Sequence, residues 1–273
     1  MATTGGQTAA ASPEPFLVSN GTGRGHYVVV CEHASNRLPA ELGTLGLTAA
    51  DMQRHIAWDP GALPVARRLA ERLDSPLVEA GISRLAIDCN RPLSAPDLVP
   101  ALSETTRIPG NEGLDEAAIA ERVALSHRPF HDALSALIDT RLDEGRECRV
   151  VSVHSFTPVY KGVARPWHVG VIHDDDDRLA RPLLAALSAE RGIVADANQP
   201  YSPADRVYYT LERHARARNL PCAMIEIRND EIADEASQML WADRLATILS
   251  GIQEPDLNPG TETAAKAKGR LRA

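Results

Sequence analysis

The chain has 273 residues, of which 44% are hydrophobic, 24% charged and only 4% aromatic, and it carries a formal net charge of −8. That length buries a substantial core as one large domain or two small ones, while the acidic balance argues against broad nucleic-acid binding, which needs a basic face. No apolar run approaches a membrane span, residues 1–15 lack the charged start and apolar middle of a secretion signal, and Cys31, Cys89, Cys148 and Cys222 lie far apart with no CxxC pair, so a reducing, cytoplasmic setting is expected.

In chain order, residues 1–24, rich in Ala, Thr, Gly and Ser, read as a flexible leader. "HYVVVC" (26–31) reads as a strand and "GALPVARRLAERL" (61–73) as an amphipathic helix. "PLVEA" and "RLAIDC" (84–89) read as strands. Residues 115–145 form one long helical pattern or two, with Pro129 as the expected kink. Strands follow at 148–154 and 167–172, then a helix over 177–192 ending at a Gly stop. A strand at 221–227 and a helix at 234–252 close the domain, expected to span 25–253, and the polar, basic segment 254–273 reads as a flexible tail. The strands are continuously apolar rather than alternating, the mark of strands buried on both faces. The expected fold is a single-domain, three-layer α/β sandwich around a mixed, mainly parallel sheet.

In such sheets ligands bind beyond the carboxyl ends of the strands. Four expected strands end in reactive side chains: Glu32 and His33; Asp88, Asn90 and Arg91; His154 and Ser155; Glu226, Arg228, Asn229 and Asp230. A catalytic zinc typically takes three ligands from His, Asp or Glu. His33 and His154 are the first candidates, Asp59 of "HIAWDPGA" the third, and Asn36 a weaker alternative. Glu226, a carboxylate inside "CAMIEI", needs a partner or a purpose. It reads either as a general base or as the ion-pair partner of Arg228 or another arginine.

"SRLAIDCNRP" supplies Arg84, Asp88, Asn90 and Arg91. Arginine holds carboxylates through two parallel hydrogen bonds, so Arg91 is the expected substrate contact and Asp88 a loop-fixing partner of an arginine. "VYYTLERHA" offers Thr210 and His214, which either hold substrate or form the polar face of a short helix. "HDDDDR" (173–178) reads as a solvated loop whose last acids favour the start of the next helix. Ser35 and Ser155 follow the two key histidines, but no GxSxG elbow surrounds them.

Taken together, "CEHASNRLP", "HIAWDPGA", "SRLAIDCNRP", "VHSFTP", "RPWHVGV", "YYTLERHA" and "IEIRND" resemble the N-formylglutamate amidohydrolase family from residue 26 to about residue 250. The resemblance implies a phosphorylase/hydrolase-like fold related to zinc carboxypeptidases. It implies a zinc-dependent hydrolase of an N-acyl amino acid amide with a small-molecule substrate, while the acidic balance and the lack of a long apolar run set aside nucleic-acid and membrane partners. It places His33 and His154 at the metal, Glu226 as general base, and Asn90 and Arg91 on a substrate carboxylate. The related peptidases carry His-x-x-Glu where this chain reads His33-Ala34-Ser35-Asn36, which leaves Asp59 as the favoured third ligand. Two rival readings are a hydrolase of another amide, such as a short peptide or cell-wall fragment, and a non-catalytic binder of acidic amino-acid derivatives.

Overall fold

The structure, a computed structural model, describes residues 12–257. Most of the expected tail and the first part of the expected leader lie outside the described residues. The strands are β1 (Phe16–Ser19), β2 (Tyr27–Cys31), β3 (Leu77–Ala80), β4 (Leu102–Ser103), β5 (Thr106–Arg107), β6 (Arg149–Phe156), β7 (Val159–Tyr160), β8 (Val163–Ala164), β9 (Val169–Ile172), β10 (Ala195–Ala197) and β11 (Cys222–Arg228). The α-helices are α1 (Ala62–Arg72), α2 (Glu116–Arg122), α3 (Arg128–Asp143), α4 (Ala180–Ala189), α5 (Tyr209–His214) and α6 (Glu235–Gly251).

Among the described residues, seven strands form one sheet in the order β1-β3-β2-β6-β11-β9-β10. Its centre, β3-β2-β6-β11, is parallel; β1 runs antiparallel to β3, and β9 antiparallel to β11. The mixed, mainly parallel sheet read from the sequence is therefore present. β2 and β6 are buried along their whole length, and the reason is visible residue by residue. Val29 and Cys31 pack with α1, α4 and α6 on one face, while Val28 and Val30 pack with α3 and α5 on the other. Successive side chains of a strand point to opposite faces, so β2, covered on both sides, is apolar throughout, while the buried polar residues of β6 need partners of their own. On the helical side, Phe130, Leu134 and Ile138 recur every four residues along α3 and are fully buried, each contributing roughly 1.5–3 kcal/mol by leaving water. Among the described residues no helix is long and apolar enough to cross a membrane. All four cysteines are buried free thiols.

Four local expectations are corrected. Residues 16–19, read as part of the leader, form β1 at the sheet edge. Residues 84–89, read as a strand, form turns instead. Ser83 Oγ accepts from Leu85 N at 3.2 Å, Ala86 N donates to Ser83 O at 2.9 Å and Asp88 N to Leu98 O at 2.8 Å. The backbone is satisfied without a ladder, so the segment stays buried while crossing the carboxyl end of the sheet. The break near Pro129 is a π-helical turn at Val123–His127 that joins α2 to α3. A wide turn accommodates a proline ring that would clash with the carbonyl four residues back. Finally, the acids of 173–178 are not simply solvated. Asp174, Asp175 and Asp176 each bond the Arg216 guanidinium at 2.7–2.8 Å, and Asp176 is 8% exposed.

Candidate active site

β2 delivers Glu32 and His33 to the carboxyl end of the central strands, and β6, its parallel neighbour, delivers His154. Asp59 arrives on the loop before α1. That loop is folded back by its own backbone: Asp59 N donates to His33 O at 2.9 Å, and Asp59 Oδ2 accepts from Ser155 N at 3.2 Å. His154 Nδ1 lies 2.8 Å from Asp59 Oδ2 and His33 Nδ1 lies 3.4 Å from it. The two imidazoles stand edge to face with centroids 4.7 Å apart. His33, Asp59 and His154 are buried, and their ligand atoms lie within 4.8 Å of one another.

These three residues fit a divalent cation. Donors about 2.0–2.1 Å from a tetrahedral ion stand roughly 3.3 Å apart, close to the 2.8 and 3.4 Å that separate the two imidazoles from Asp59. His33 Nδ1 has no hydrogen-bond partner among the described residues. The far nitrogen of each ring faces a second carboxylate. His33 Nε2 meets Asp88 Oδ1 at 2.8 Å, and His154 Nε2 lies 3.1 Å from Glu32 Oε2, near but not aligned as a hydrogen bond. Glu32 is in turn held by Ser152 Oγ at 2.7 Å. An outer carboxylate that orients the ring is the usual support of a metal-ligating histidine.

The electrostatics point the same way. Burial alone would raise the Asp59 carboxyl; His33 and the hydrogen bond from His154 overcome it and hold Asp59 well below the usual carboxylate range. Asp88 is likewise held low against its burial by His33 and Arg84, and Glu32 by His154. For His154 burial acts downward, yet Glu32 and Asp59 push it well above the ordinary imidazole value. Three buried carboxylates converge on two imidazoles, a charge balance that favours a cation between them.

Glu226 stands beside His154 in the β11–β6 register. It is 4% exposed, its Oε2 has no hydrogen-bond partner among the described residues, and burial pushes its carboxyl up to about 8. The alternative of an ion pair with Arg228 is not realised, because Arg228 binds Asp230 at 2.7 Å and Glu231 at 2.9 Å.

His33, Asp59, Arg84, Asn90, Arg91, His154 and Glu226 line one cavity of about 230 Å³. Arg84 Nη2 holds Asp88 at 2.8 Å and its Nη1 lies 3.5 Å from Asp59. Asp88 thus fixes an arginine, as expected, and also braces His33. Arg91 is tied by Nε to Asp97 at 2.9 Å and by Nη1 to the carbonyls of Asn90 and Arg206 at 3.2 Å. Asn90 uses its amide on backbone: Nδ2 donates to Val207 O, and Oδ1 accepts from Thr210 N at 3.1 Å. Thr210 and His214 are not brought into the cavity. His214 Nε2 meets His131 Nδ1 at 2.8 Å within the α3–α5 packing. Asn36 lies apart as well, donating to Met52 O at 2.8 Å. Sequence reasoning gave no role to Glu32, nor to His55, Tyr160 and Tyr201 on the cavity wall. For Glu32 a signal existed, since Ser152 and His154 alternate on the neighbouring strand where a carboxylate beside His33 reaches both. The tyrosines come from loops, and nothing local marks them.

A mixed, mainly parallel α/β sheet carrying a His–Asp–His cluster and a facing protonatable carboxylate at its carboxyl end is an arrangement suited to hydrolysis. The family model for N-formylglutamate amidohydrolase matches residues 25–233, and the chain belongs to that family. It is accordingly an amidohydrolase. The crystal structure of gene product Atu2144 from Agrobacterium tumefaciens is 41% identical, with a TM-score of 0.85 over 93% of this chain and 96% of that one. N-formylglutamate amidohydrolase from Ralstonia eutropha JMP134 is 18% identical, with a TM-score of 0.60 over 95% of this chain and 100% of that one, a likeness of fold. Among curated proteins there is no significant match.

Proposed function

We propose that the protein is a zinc-dependent hydrolase of the amide bond in an N-acyl amino acid such as N-formylglutamate. The observation that carries this reading is the convergence of His33 Nδ1, His154 Nδ1 and Asp59 Oδ2 in the cavity whose wall also holds Glu226. Family membership and the activity named for the Ralstonia protein support the substrate class. His33, Asp59 and His154 would hold the zinc, which when bound would supply Lewis-acid polarisation of the amide carbonyl and an easier deprotonation of water. Glu226 takes the proton from that water and returns it to the leaving amine nitrogen. Arg84, anchored to Asp88, is the cation beside the oxygen on which negative charge develops. Asn90 and Arg91 hold the substrate carboxylate, Arg91 through Nη2, the nitrogen its internal partners leave free. Thr210 contributes by bracing Asn90 through its backbone N–H, and His214 by supporting His131, whose Nε2 meets the Cys89 carbonyl.

Elemental analysis and turnover of N-formyl-L-glutamate on the same preparations test this. Wild-type protein is expected to hold stoichiometric zinc and hydrolyse the substrate, with both properties lost in His33→Ala and in His154→Ala. Stoichiometric zinc in both variants would reject the metal assignment. Zinc retention in the wild type with turnover only of short peptides would move the reading to another amide.

A further inference from the structure

The turn that brings Asn90 and Arg91 to the cavity has each backbone group from Cys89 O to Arg91 O accounted for. Asp88 takes the N–H groups of Asn90 and Arg91, the first through Oδ1 at 2.8 Å and the second through its carbonyl at 3.2 Å. Arg91 Nη1 donates to the Asn90 carbonyl at 3.2 Å. The two flanking carbonyls go to histidines of the helical layer: His131 Nε2 lies 2.8 Å from Cys89 O, and His127 Nε2 lies 2.9 Å from Arg91 O. His127 ends the π-helical turn and His131 stands four residues further on, in α3. Their ring centroids are 4.4 Å apart, and the Tyr209 ring of α5 packs on both, 5.8 Å from His127 and 5.3 Å from His131. Neither histidine lines the cavity; they stand behind the turn that does.

A carbonyl oxygen only accepts, so the proton positions follow from the geometry. Nε2 carries the hydrogen in both His127 and His131. In neutral His131, Nδ1 is then an acceptor, and it takes the Nε2–H of His214, 2.8 Å away. All three rings are buried, and burial holds His131 at about 2 and His214 at about 4, so both are uncharged at neutral pH. Donation runs from His214 to His131 to Cys89, with His127 to Arg91 beside it. Apolar rings would fill the same core space but leave two buried carbonyls without donors. What the imidazoles add is a fixed hydrogen-bond direction at both ends of the Asn90–Arg91 segment. We propose that His127 and His131 are positioning residues that set Asn90 and Arg91 for the substrate carboxylate, with His214 holding His131 in the required tautomer. This rests on the amide-hydrolase reading above, in which Asn90 and Arg91 hold that carboxylate.

The test follows N-formyl-L-glutamate and its α-carboxamide, which lacks the charge Asn90 and Arg91 would hold, on the zinc-loaded full chain. Phenylalanine removes the donor and keeps a ring, whereas glutamine puts an amide N–H near the place of Nε2. His131→Phe and His127→Phe are each expected to raise KM for N-formyl-L-glutamate by about 5–100-fold, the scale of a buried acceptor left without its donor, with kcat and the use of the α-carboxamide changed by less than about threefold. His131→Gln and His127→Gln should recover most of the loss, which a packing role would not do. No loss, an equal loss on both molecules, a loss confined to kcat, or no recovery with glutamine overturns the proposal. So does a wild type without preference for the free carboxylate. Calorimetric binding of the two molecules reads the same preference without turnover, and Arg91→Ala separates the two readings. If Arg91→Ala abolishes the preference while the histidine variants keep it, the proposal fails and the clamp stands. If Arg91→Ala keeps the preference, the clamp fails and takes the proposal with it. A wild type that binds selectively but hydrolyses neither molecule fails the catalytic reading alone, and the binding preferences of the variants then decide. Should His131→Phe not fold, His127→Phe and His214→Phe must each weaken the preference; an unchanged preference in both rejects the proposal.

Discussion

Asp59 and Glu226 share one cavity wall and nearly equal burial, yet burial governs only one of them. Asp59 has two imidazoles beside it and stays ionised. Glu226 Oε2 has no partner, and burial lifts that carboxyl to about 8. A bound dication lowers a nearby carboxyl, so under the proposed function Glu226 would serve as a base only with the metal in place. Glu226→Gln keeps the shape without the proton acceptor; it is expected to retain zinc while losing turnover by roughly 10²–10⁴-fold, the usual weight of a general base. Near-normal turnover with a lowered melting temperature would instead make Glu226 structural. In the metal-free protein the same residue gives a pH signature. The folded chain keeps a proton on Glu226 from about pH 4.5 to about 8, where the unfolded chain has released it. Its contribution to stability is therefore full below pH 4.5 and lost as pH rises through 8. With chelator present, the melting temperature of Glu226→Gln relative to wild type should climb steadily between pH 5 and 8, and a pH-independent difference would contradict the raised carboxyl. Asp88 offers a third residue-level test. Asp88→Asn weakens the support of His33 Nε2, and zinc affinity measured against a competing chelator should fall about 10–100-fold; unchanged affinity would show that Asp88 serves Arg84 only.

At the scale of elements, the site depends on joints rather than on strand interiors. Gly61 opens α1 two residues after Asp59 with φ +81°, and a Cβ there would stand 2.4 Å from Ile232 O. Both the left-handed backbone and the close approach demand glycine. Gly61→Ala is expected to cost about 1 kcal/mol or more and to displace Asp59, lowering melting temperature and zinc affinity together; wild-type values for both would show that the joint yields. Gly170 does comparable work on β9. A Cβ there would meet Gln199 O at 1.5 Å, so its absence lets the loop carrying Tyr201 lie against the sheet. The turn segment 84–89 is the third joint. Arg84, Asp88, Asn90 and Arg91 reach the cavity because that stretch crosses the sheet end instead of extending it.

For the molecule as a whole, with a net charge of −8 and a cluster of buried carboxylates, the proposed cation would add to the stability. A ligand that binds only the folded state stabilises it by about 2.7 kcal/mol at a hundred times its dissociation constant, several degrees in melting temperature for a chain of this size. Chelation should therefore lower the melting temperature of the wild type by roughly 5–10 °C and leave that of His33→Ala nearly unmoved. An equal shift in both would place the effect elsewhere. The helices on the two faces of the sheet make such changes cooperative, since α1 and α6 pack on the sheet face opposite α3.

The sequence by itself determined the α/β class, the helices and central strands, and the clustering of His33, His154 and Glu226 at strand ends. Those features follow from apolar periodicity and from polar residues that interrupt it, both local properties of the chain. Family motifs added Asn90 and Arg91 on the same footing. Only the tertiary structure decided which of the remaining polar groups meet. "PLVEA" and "RLAIDC" look alike as apolar runs, but one finds a ladder partner and the other satisfies its backbone in turns. Thr210 and His214 sit in a motif with cavity residues on either side in sequence, yet α5 turns them toward Asn90 and His131. Glu32 behind His154 and Asp88 behind His33 are pairings across 122 and 55 positions of chain that no local pattern encodes, because burial and charge compensation are settled where segments distant in sequence come together.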